Sequence, residues 1–229
     1  MNVLRIGHRG SKGYIAENTL ESINHAILLG VDGIEIDIFK CLSGELVLSH
    51  ENDLKRLTGK SGQLEKLTLN DLKKFLVVGK YKIPTLKDVL TIIETPLFVN
   101  IELKGLNTAQ ATSEIITDLS INTSWSLENF IISSFNWNEL EQFRSIDKNT
   151  SVGVLVSKSM SINEAIEFGK KINAQAIHPN FKILNDKTVK KIKNNGFKIY
   201  TWTVNNEDDI NFMKKLQVDG IISDYPDRI

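Results

Sequence analysis

Two acidic residues alternate with isoleucines in the segment 33–38, which reads GIEIDI. Successive side chains of an extended strand point to opposite faces, so Glu35 and Asp37 share one face and the isoleucines share the other. Two neighbouring carboxylates repel each other and are costly to bury, so this face needs a cation, a proton or strong hydrogen-bond donors. A bound metal ion is the simplest of these.

The segment 100–104, NIELK, repeats this pattern and places Asn100, Glu102 and Lys104 on one face. Three carboxylates without a nearby cysteine favour a hard cation that prefers oxygen ligands, Mg²⁺ or Ca²⁺, and Mn²⁺ is also compatible. The alternative is a patch of salt bridges at the end of a barrel, in which Lys104 and Arg9 neutralise the acids.

Two histidines lie close to these acids in the expected topology. His8 ends the first predicted strand, and His50 ends a short strand after Asp37. A pair of imidazoles can divide acid and base roles near neutral pH, although either one alone could be a structural hydrogen-bond donor. Arg9 is a candidate for bidentate phosphate binding, with pairing to Glu17 as the alternative.

Trp202 ends a later strand and is an aromatic candidate for the same site. Its indole could line an apolar part of a pocket, or it could pack within the barrel.

Strands and helices alternate along the chain at the spacing of βα units. Each predicted strand is a short apolar or β-branched run, and a predicted helix over Thr19–Leu29 has Asn18 as its N-cap. Eight such units in 229 residues favour an α/β fold of the (β/α)8 TIM-barrel class over a doubly wound sheet. The predicted strands are Val3–Gly7, Gly33–Phe39, Leu97–Leu103, Phe130–Ser134, Val152–Val156, Gln175–Ile177, Phe197–Trp202 and Gly220–Ser223.

One stretch departs from this rhythm. After the second strand, residues of about 51–82 are interpreted as a small insertion that contains a helix from 67 or 68 to 76. A second helix, entered by Pro84-Thr85 and extending to Ile93, is interpreted as the next barrel helix. We therefore expect a single domain over 1–229.

The composition excludes several functional classes. Lys plus Arg and Asp plus Glu both number 28, so the chain lacks the basic charge of a dedicated nucleic-acid binder. No apolar run approaches the roughly 20 residues that cross a bilayer, so stable membrane insertion is not expected. The single Cys41 and an N-terminus without a leader pattern predict a cytoplasmic protein. The sequence leaves the oligomeric state open.

An ordered set of motifs across residues 8–226 resembles the glycerophosphodiester phosphodiesterase family. Each motif is short, but together they follow the order of the family along nearly the whole chain. They are His8-Arg9-Gly10, Glu17-Asn18-Thr19, Glu35-Ile36-Asp37, His50, Ile83-Pro84-Thr85-Leu86, the segment 100–104, Trp202-Thr203-Val204-Asn205 and the segment 220–226, GIISDYP.

The resemblance implies a metal-dependent TIM-barrel enzyme that cleaves glycerophosphodiesters, such as glycerophosphocholine or glycerophosphoethanolamine, to sn-glycerol 3-phosphate and an alcohol. It implies a nucleophile that is the glycerol 2-hydroxyl, giving a cyclic phosphate, with direct attack by water as the alternative. By position it implies metal ligands at Glu35, Asp37 and Glu102, an acid/base pair at His8 and His50, phosphate-binding cations at Arg9 and Lys104, and a supporting Glu17.

Two residues depart from the family pattern: Ala16 replaces the usual proline before Glu17, and Glu51 replaces the usual aspartate after His50. Neither replaces an expected ligand or acid/base residue. Two other functions remain open, a lysophospholipase D-like phosphodiesterase and a catalytically silent barrel that binds a phosphodiester.

Overall fold

The fold is an eight-stranded parallel barrel with one added strand and a small hairpin. It is seen in a computed structural model that describes residues 3–94 and 96–229. In chain order the strands are β1 (Leu4–His8), β2 (Gly33–Lys40), β3 (Leu46–Leu48), β4 (Leu76–Val77), β5 (Tyr81–Lys82), β6 (Phe98–Leu103), β7 (Phe130–Ser134), β8 (Ser151–Val156), β9 (Ala176–Pro179), β10 (Lys198–Thr201) and β11 (Gly220–Ser223).

Helices separate most of the strands. They are α1 (Leu20–Leu28), α2 (Lys55–Thr58), α3 (Leu69–Leu72), α4 (Leu86–Ile92), α5 (Ala109–Asn122), α6 (Trp137–Ile146), α7 (Ile162–Lys171), α8 (Asp186–Asn194) and α9 (Glu207–Lys215). Short 3-10 turns lie at Leu64–Lys66, Leu127–Asn129, Phe181–Ile183 and Pro226–Arg228. No helix among the described residues is long and apolar enough to cross a membrane.

The barrel closes where its first strand meets its last. β1 pairs in parallel with both β11 and β2, and the remaining neighbours run β2, β6, β7, β8, β9, β10 and β11. The predicted TIM barrel is confirmed, and each of the eight predicted strands overlaps an observed barrel strand with ends within two residues.

The alternation of side chains divides the barrel into an outer and an inner layer. The β2 isoleucines Ile34, Ile36 and Ile38 are fully buried in the main apolar cluster, which also contains helix residues. A separate cluster that includes Tyr200 and Ile222 comes from the opposite faces of the strands. The acidic face of β2 therefore belongs to the barrel interior, as the period of two predicts.

Helix α1 begins one residue later than its predicted cap implies. Thr19, not Asn18, is the N-cap, and its side chain accepts a hydrogen bond from the Ser22 amide. Asn18 instead has a left-handed backbone with φ of 56° and directs its amide to Asp37. The local signal was ambiguous because Asn and Thr both cap helices, and a contact between distant residues decided between them.

The insertion packs around its own apolar cluster above β2. β3 pairs antiparallel with β2, and Leu54, Leu64 and Leu72 are buried together with residues of both strands. The helix expected from 67 or 68 to 76 is wrong in length, because only α3 forms. Thr85 and Asp88 form the capping box of α4, close to the predicted entry of that helix. The boundaries 51–82 stay a prediction.

Candidate active site

The register of three neighbouring strands brings the acidic residues to one end of the barrel. His8 of β1 lies opposite Glu35 of β2, and Asp37 of β2 lies opposite Glu102 of β6. These are the carboxyl ends of parallel strands, where barrel enzymes bind their substrates.

Glu35, Asp37 and Glu102 form a buried acidic triad. One carboxylate oxygen from each lies within 4.8 Å of the others, and the three residues are 4%, 1% and 8% exposed. Burial and the neighbouring acids raise the pKa of Glu35 well above its usual range, and burial with the charge of Asp37 raises the pKa of Glu102 to about 7. Ionisation of all three carboxyl groups is therefore unfavourable without a further positive charge beside them.

Two cations lie beside the triad, as the salt-bridge alternative predicts. Lys104 Nζ lies 3.1 Å from Glu102 Oε1, and Arg9 Nε lies 3.0 Å from Asp37 Oδ2. Asp37 Oδ1 is nevertheless buried without a hydrogen-bond partner among the described residues. An unpartnered carboxylate oxygen within an all-oxygen cluster fits a hard divalent cation.

His8 is held by an aspartate that the sequence analysis did not assign. Its Nδ1 lies 2.6 Å from Asp224 Oδ1, while its Nε2 lies 3.9 Å from Glu35 Oε2. Burial raises the pKa of Asp224, but the hydrogen bond and charge of His8 outweigh it and hold the pKa at about 2. An ionised carboxylate only accepts hydrogen bonds, so in the neutral imidazole of His8 the proton is on Nδ1 and the unprotonated Nε2 faces the triad.

The other oxygen of Asp224 is also occupied, since Asn205 Nδ2 donates to Oδ2 at 2.9 Å. One signal in the sequence could have identified Asp224: it follows the last strand, which must lie beside the first strand in a closed barrel. The motif that contains it was recognised, but its carboxylate was given no role.

His50 lies after β3 with its Nδ1 buried and without a hydrogen-bond partner in the described residues. Burial lowers the pKa of His50 to about 4. The negative charge of Asp37 raises this pKa, and the positive charge of Arg9 lowers it further. Burial likewise lowers the pKa of His8. Burial therefore favours the neutral form of both imidazoles, in which each has a nitrogen that can accept a proton.

Glu17 lies between two arginines in the loop that follows β1. Arg9 Nη1 donates to its Oε1 at 2.7 Å, so the pairing considered as the alternative to phosphate binding is present. Arg56 of α2 donates to both oxygens of the same carboxylate. Burial raises the pKa of Glu17, but the hydrogen bonds and charges of Arg56 and Arg9 lower it to about 2.

Trp202 follows β10, and its ring meets Phe135 edge to face at a centroid distance of 5.3 Å. The centroid of the Phe135 ring lies 5.8 Å from Lys104 Nζ, so the two aromatic rings lie beside the cationic residue of the site. The indole Nε1 donates to the His178 carbonyl at 2.7 Å, which fixes the ring. The sequence analysis did not single out Phe135, which lies immediately after the end of β7.

Comparison with known proteins gives one consistent family. Residues 8–228 match the model of the "Glycerophosphoryl diester phosphodiesterase family". A glycerophosphodiester phosphodiesterase from Caldanaerobacter subterraneus is 31% identical, in an alignment that covers 100% of this chain and 97% of the relative.

Two solved structures show the same fold. Glycerophosphodiester phosphodiesterase from Thermotoga maritima is 30% identical with a TM-score of 0.84, covering 99% of this chain and 96% of that one. A phosphodiesterase from Oleispira antarctica, solved in complex with the product sn-glycerol-3-phosphate, is 27% identical with a TM-score of 0.88, covering 98% and 94% of the two chains.

Proposed function

The chain belongs to the glycerophosphoryl diester phosphodiesterase family and is an enzyme that hydrolyses phosphoric diesters, and we propose that its substrates are small glycerophosphodiesters. Glycerophosphocholine and glycerophosphoethanolamine would give sn-glycerol 3-phosphate and the free alcohol. The buried triad of Glu35, Asp37 and Glu102, with His8 Nε2 3.9 Å from Glu35, is the observation that carries this proposal. The product in the Oleispira antarctica relative agrees with it.

Glu35, Asp37 and Glu102 would hold one divalent cation, Mg²⁺ or Ca²⁺, with Mn²⁺ also compatible. Such a cation offsets the negative charge that grows on the phosphoryl oxygens during transfer. The unfavourable ionisation of the triad and the unpartnered Asp37 Oδ1 support this assignment.

Arg9 and Lys104 would bind the negatively charged phosphate through their positive side chains. Both are mostly buried beside the triad, where a cation acts on a developing negative charge through little water. Glu17 supports Arg9 by accepting its Nη1–H, and Trp202 provides an apolar wall for the glycerol or alcohol part.

His8 and His50 would exchange protons with the two oxygens of the reaction. One accepts the proton of the attacking hydroxyl, and the other, in its protonated form, donates a proton to the departing alcohol oxygen, each step contributing on the order of 10²–10⁴ in rate. The contact with Asp224 supports a role for His8 Nε2 as the base.

The nucleophile we favour is the glycerol 2-hydroxyl, which would give a cyclic phosphate that water then opens. An intramolecular attack brings a large advantage in effective concentration. A substrate that lacks the 2-hydroxyl separates the two routes. Full activity on that substrate, with no cyclic product trapped from the natural one, would show direct attack by water.

The test of the function is release of glycerol 3-phosphate from glycerophosphocholine by the purified protein. EDTA should abolish the release, and Mg²⁺, Ca²⁺ or Mn²⁺, added separately, should restore it. His8→Ala should remove the activity while His25→Ala, a histidine bonded to Ser11 outside the site, should retain it. No release with any of these metals from folded protein would refute the proposal.

Lysophosphatidylcholine is the comparison substrate for the lysophospholipase D-like alternative. A much higher rate on it than on glycerophosphocholine would favour that alternative, and no turnover of either would favour a silent binding barrel. A cytoplasmic location and a single domain over 1–229 stay predictions from the sequence.

A further inference from the structure

The insertion reaches the proposed phosphate site through one arginine. Arg56 lies on α2 between Leu54 and Leu57, two buried residues of the insertion, and α2 ends at Gly59 in a left-handed conformation. This local packing fixes the backbone that carries Arg56, although its side chain is 47% exposed.

The two terminal nitrogens of the Arg56 guanidinium fix the plane of the Glu17 carboxylate. Arg56 Nη2 donates to Glu17 Oε1 at 2.8 Å and Nη1 donates to Oε2 at 3.2 Å. Such a two-point contact sets the orientation of a carboxylate in a way that a single contact cannot. Glu17 Oε1 also accepts from Arg9, so the position of Arg9 depends on the carboxylate that Arg56 orients.

The same contacts determine which part of Arg9 is available to a substrate. Its Nη1 is bonded to Glu17, and its Nε lies 3.0 Å from Asp37. Among the contacts of the described residues, Nη2 is the guanidinium nitrogen left to meet a phosphate oxygen. Rotation of Glu17 would therefore change the direction in which this nitrogen points.

The third guanidinium nitrogen of Arg56, Nε, contacts the turn that contains His50. Arg56 Nε donates to Glu51 Oε1 at 2.7 Å, and that oxygen lies 3.7 Å from His50 Nδ1. Arg56 therefore contacts both Glu51, the neighbour of His50 in the chain, and Glu17, which binds Arg9.

We propose that Arg56 is a positioning residue, which orients Arg9 through Glu17 and the His50 turn through Glu51, so that docking of the insertion completes the phosphodiester site. This inference deepens the proposed function and rests on it. It requires that Arg56 act through Glu17 and Glu51 and not by touching the substrate.

A double-mutant cycle tests that requirement. Arg56→Ala should lower kcat/KM for glycerophosphocholine by about 10- to 100-fold, the range of misplaced positioning groups. Glu17→Gln should have a comparable effect, and the loss in the double variant should be clearly smaller than the product of the two single losses, because the two residues share one contact. Arg56→Lys should recover less than a third of the loss, because an ammonium cannot make the two-point contact.

Lys55→Ala is the matched control. It removes an exposed cation from the same helix, and its activity should stay within about twofold of the original protein. Circular dichroism and thermal melting on every variant identify loss of folding, and Arg56→Lys keeps the test open if Arg56→Ala does not fold. Additive losses in the double variant, or full rescue by lysine, would overturn the proposal.

Binding of inorganic phosphate in the presence of Mg²⁺ separates this proposal from the proposed function. Arg56→Ala should weaken phosphate binding by about fivefold or more, and Lys55→Ala should leave it unchanged. An inactive but phosphate-binding protein that shows this difference would refute the proposed function and retain the positioning role. Equal phosphate affinity in Arg56→Ala and the original protein, or no phosphate binding by either, would overturn the positioning role.

Discussion

At the level of single residues, the Asp224 carboxylate selects the nitrogen of His8 that faces the acidic triad. Replacement by asparagine removes its charge, and Asn205 Nδ2 already donates to Oδ2. The new amide would keep its oxygen toward Asn205 and turn its NH₂ toward His8 Nδ1, which favours the wrong tautomer. We expect Asp224→Asn to lower kcat by about 10²- to 10⁴-fold with a smaller change in KM.

The pH–rate profile of glycerol 3-phosphate release provides the measurement. Asp227→Asn is a suitable control, since this nearby acid bonds the exposed Tyr14 and not His8. An unchanged kcat for Asp224→Asn would show that the contact with His8 has no part in the reaction.

The residues of this site differ in how visible they are in the sequence. Glu35 and Asp37 were predicted because an alternating strand necessarily places them on one face. Asp224 lies 216 residues from His8, and only the closure of the barrel brings the two together. Arg56 is harder still to predict, because its contact with Glu17 depends on how the insertion packs.

Among the elements, α1 is preceded by two adjacent polar residues with separate functions. Thr19 accepts from the Ser22 amide at the start of the helix, whereas Asn18 Nδ2 donates to Asp37 at 2.9 Å. Thr19→Ala should lower the free energy of unfolding by about 1 kcal/mol and leave kcat/KM nearly unchanged.

Asn18→Gly is the matched variant, because glycine keeps the left-handed backbone and removes only the side chain. It should lower kcat/KM more than Thr19→Ala does, since it removes the hydrogen bond from Asn18 to Asp37 Oδ2 and leaves that oxygen with Arg9 Nε alone. Urea unfolding and steady-state kinetics on the two proteins give both comparisons. A larger loss of stability in Asn18→Gly and a larger loss of kcat/KM in Thr19→Ala would identify Asn18 as the cap.

The predicted insertion shows the limit of reading elements from local sequence. The Thr85–Asp88 capping box marks the start of α4 with residues that are three positions apart, and it was readable. The helix expected after residue 67 ends at Leu72 because the chain turns there to form the β4–β5 hairpin. Packing on β2 and β3, not local propensity, sets the path of this segment.

For the whole molecule, the count of eight βα units was sufficient to predict the closed barrel. What the count cannot show is the content of the interior. His178 directly follows the predicted strand Gln175–Ile177 and lies within β9, where it is completely buried and its ring meets Tyr200 at a centroid distance of 5.2 Å. A side chain at Gly153 would clash with its ring, so this glycine makes the space for the imidazole.

Burial of His178 makes stability depend on pH. Neither ring nitrogen has a hydrogen-bond partner among the described residues, and burial lowers the pKa of this imidazole to about 3. The unfolded chain protonates the same group near pH 6.5, so it binds more protons below that pH, and this contribution to stability falls with decreasing pH toward the folded value. Between pH 7.5 and pH 5 the loss from this one group is about 2 kcal/mol.

His178→Leu should remove this pH-dependent loss of stability. When the pH is lowered from 7.5 to 5, the free energy of unfolding should therefore fall less in the variant than in the original protein. Urea unfolding at the two pH values, with bound metal removed from both proteins, measures the difference directly. Ile222→Val, from the interior cluster around Tyr200, should cost the same free energy at both pH values because it removes no titratable group. Equal pH dependence in the original protein and His178→Leu would show that the unfavourable protonation resides elsewhere in the barrel.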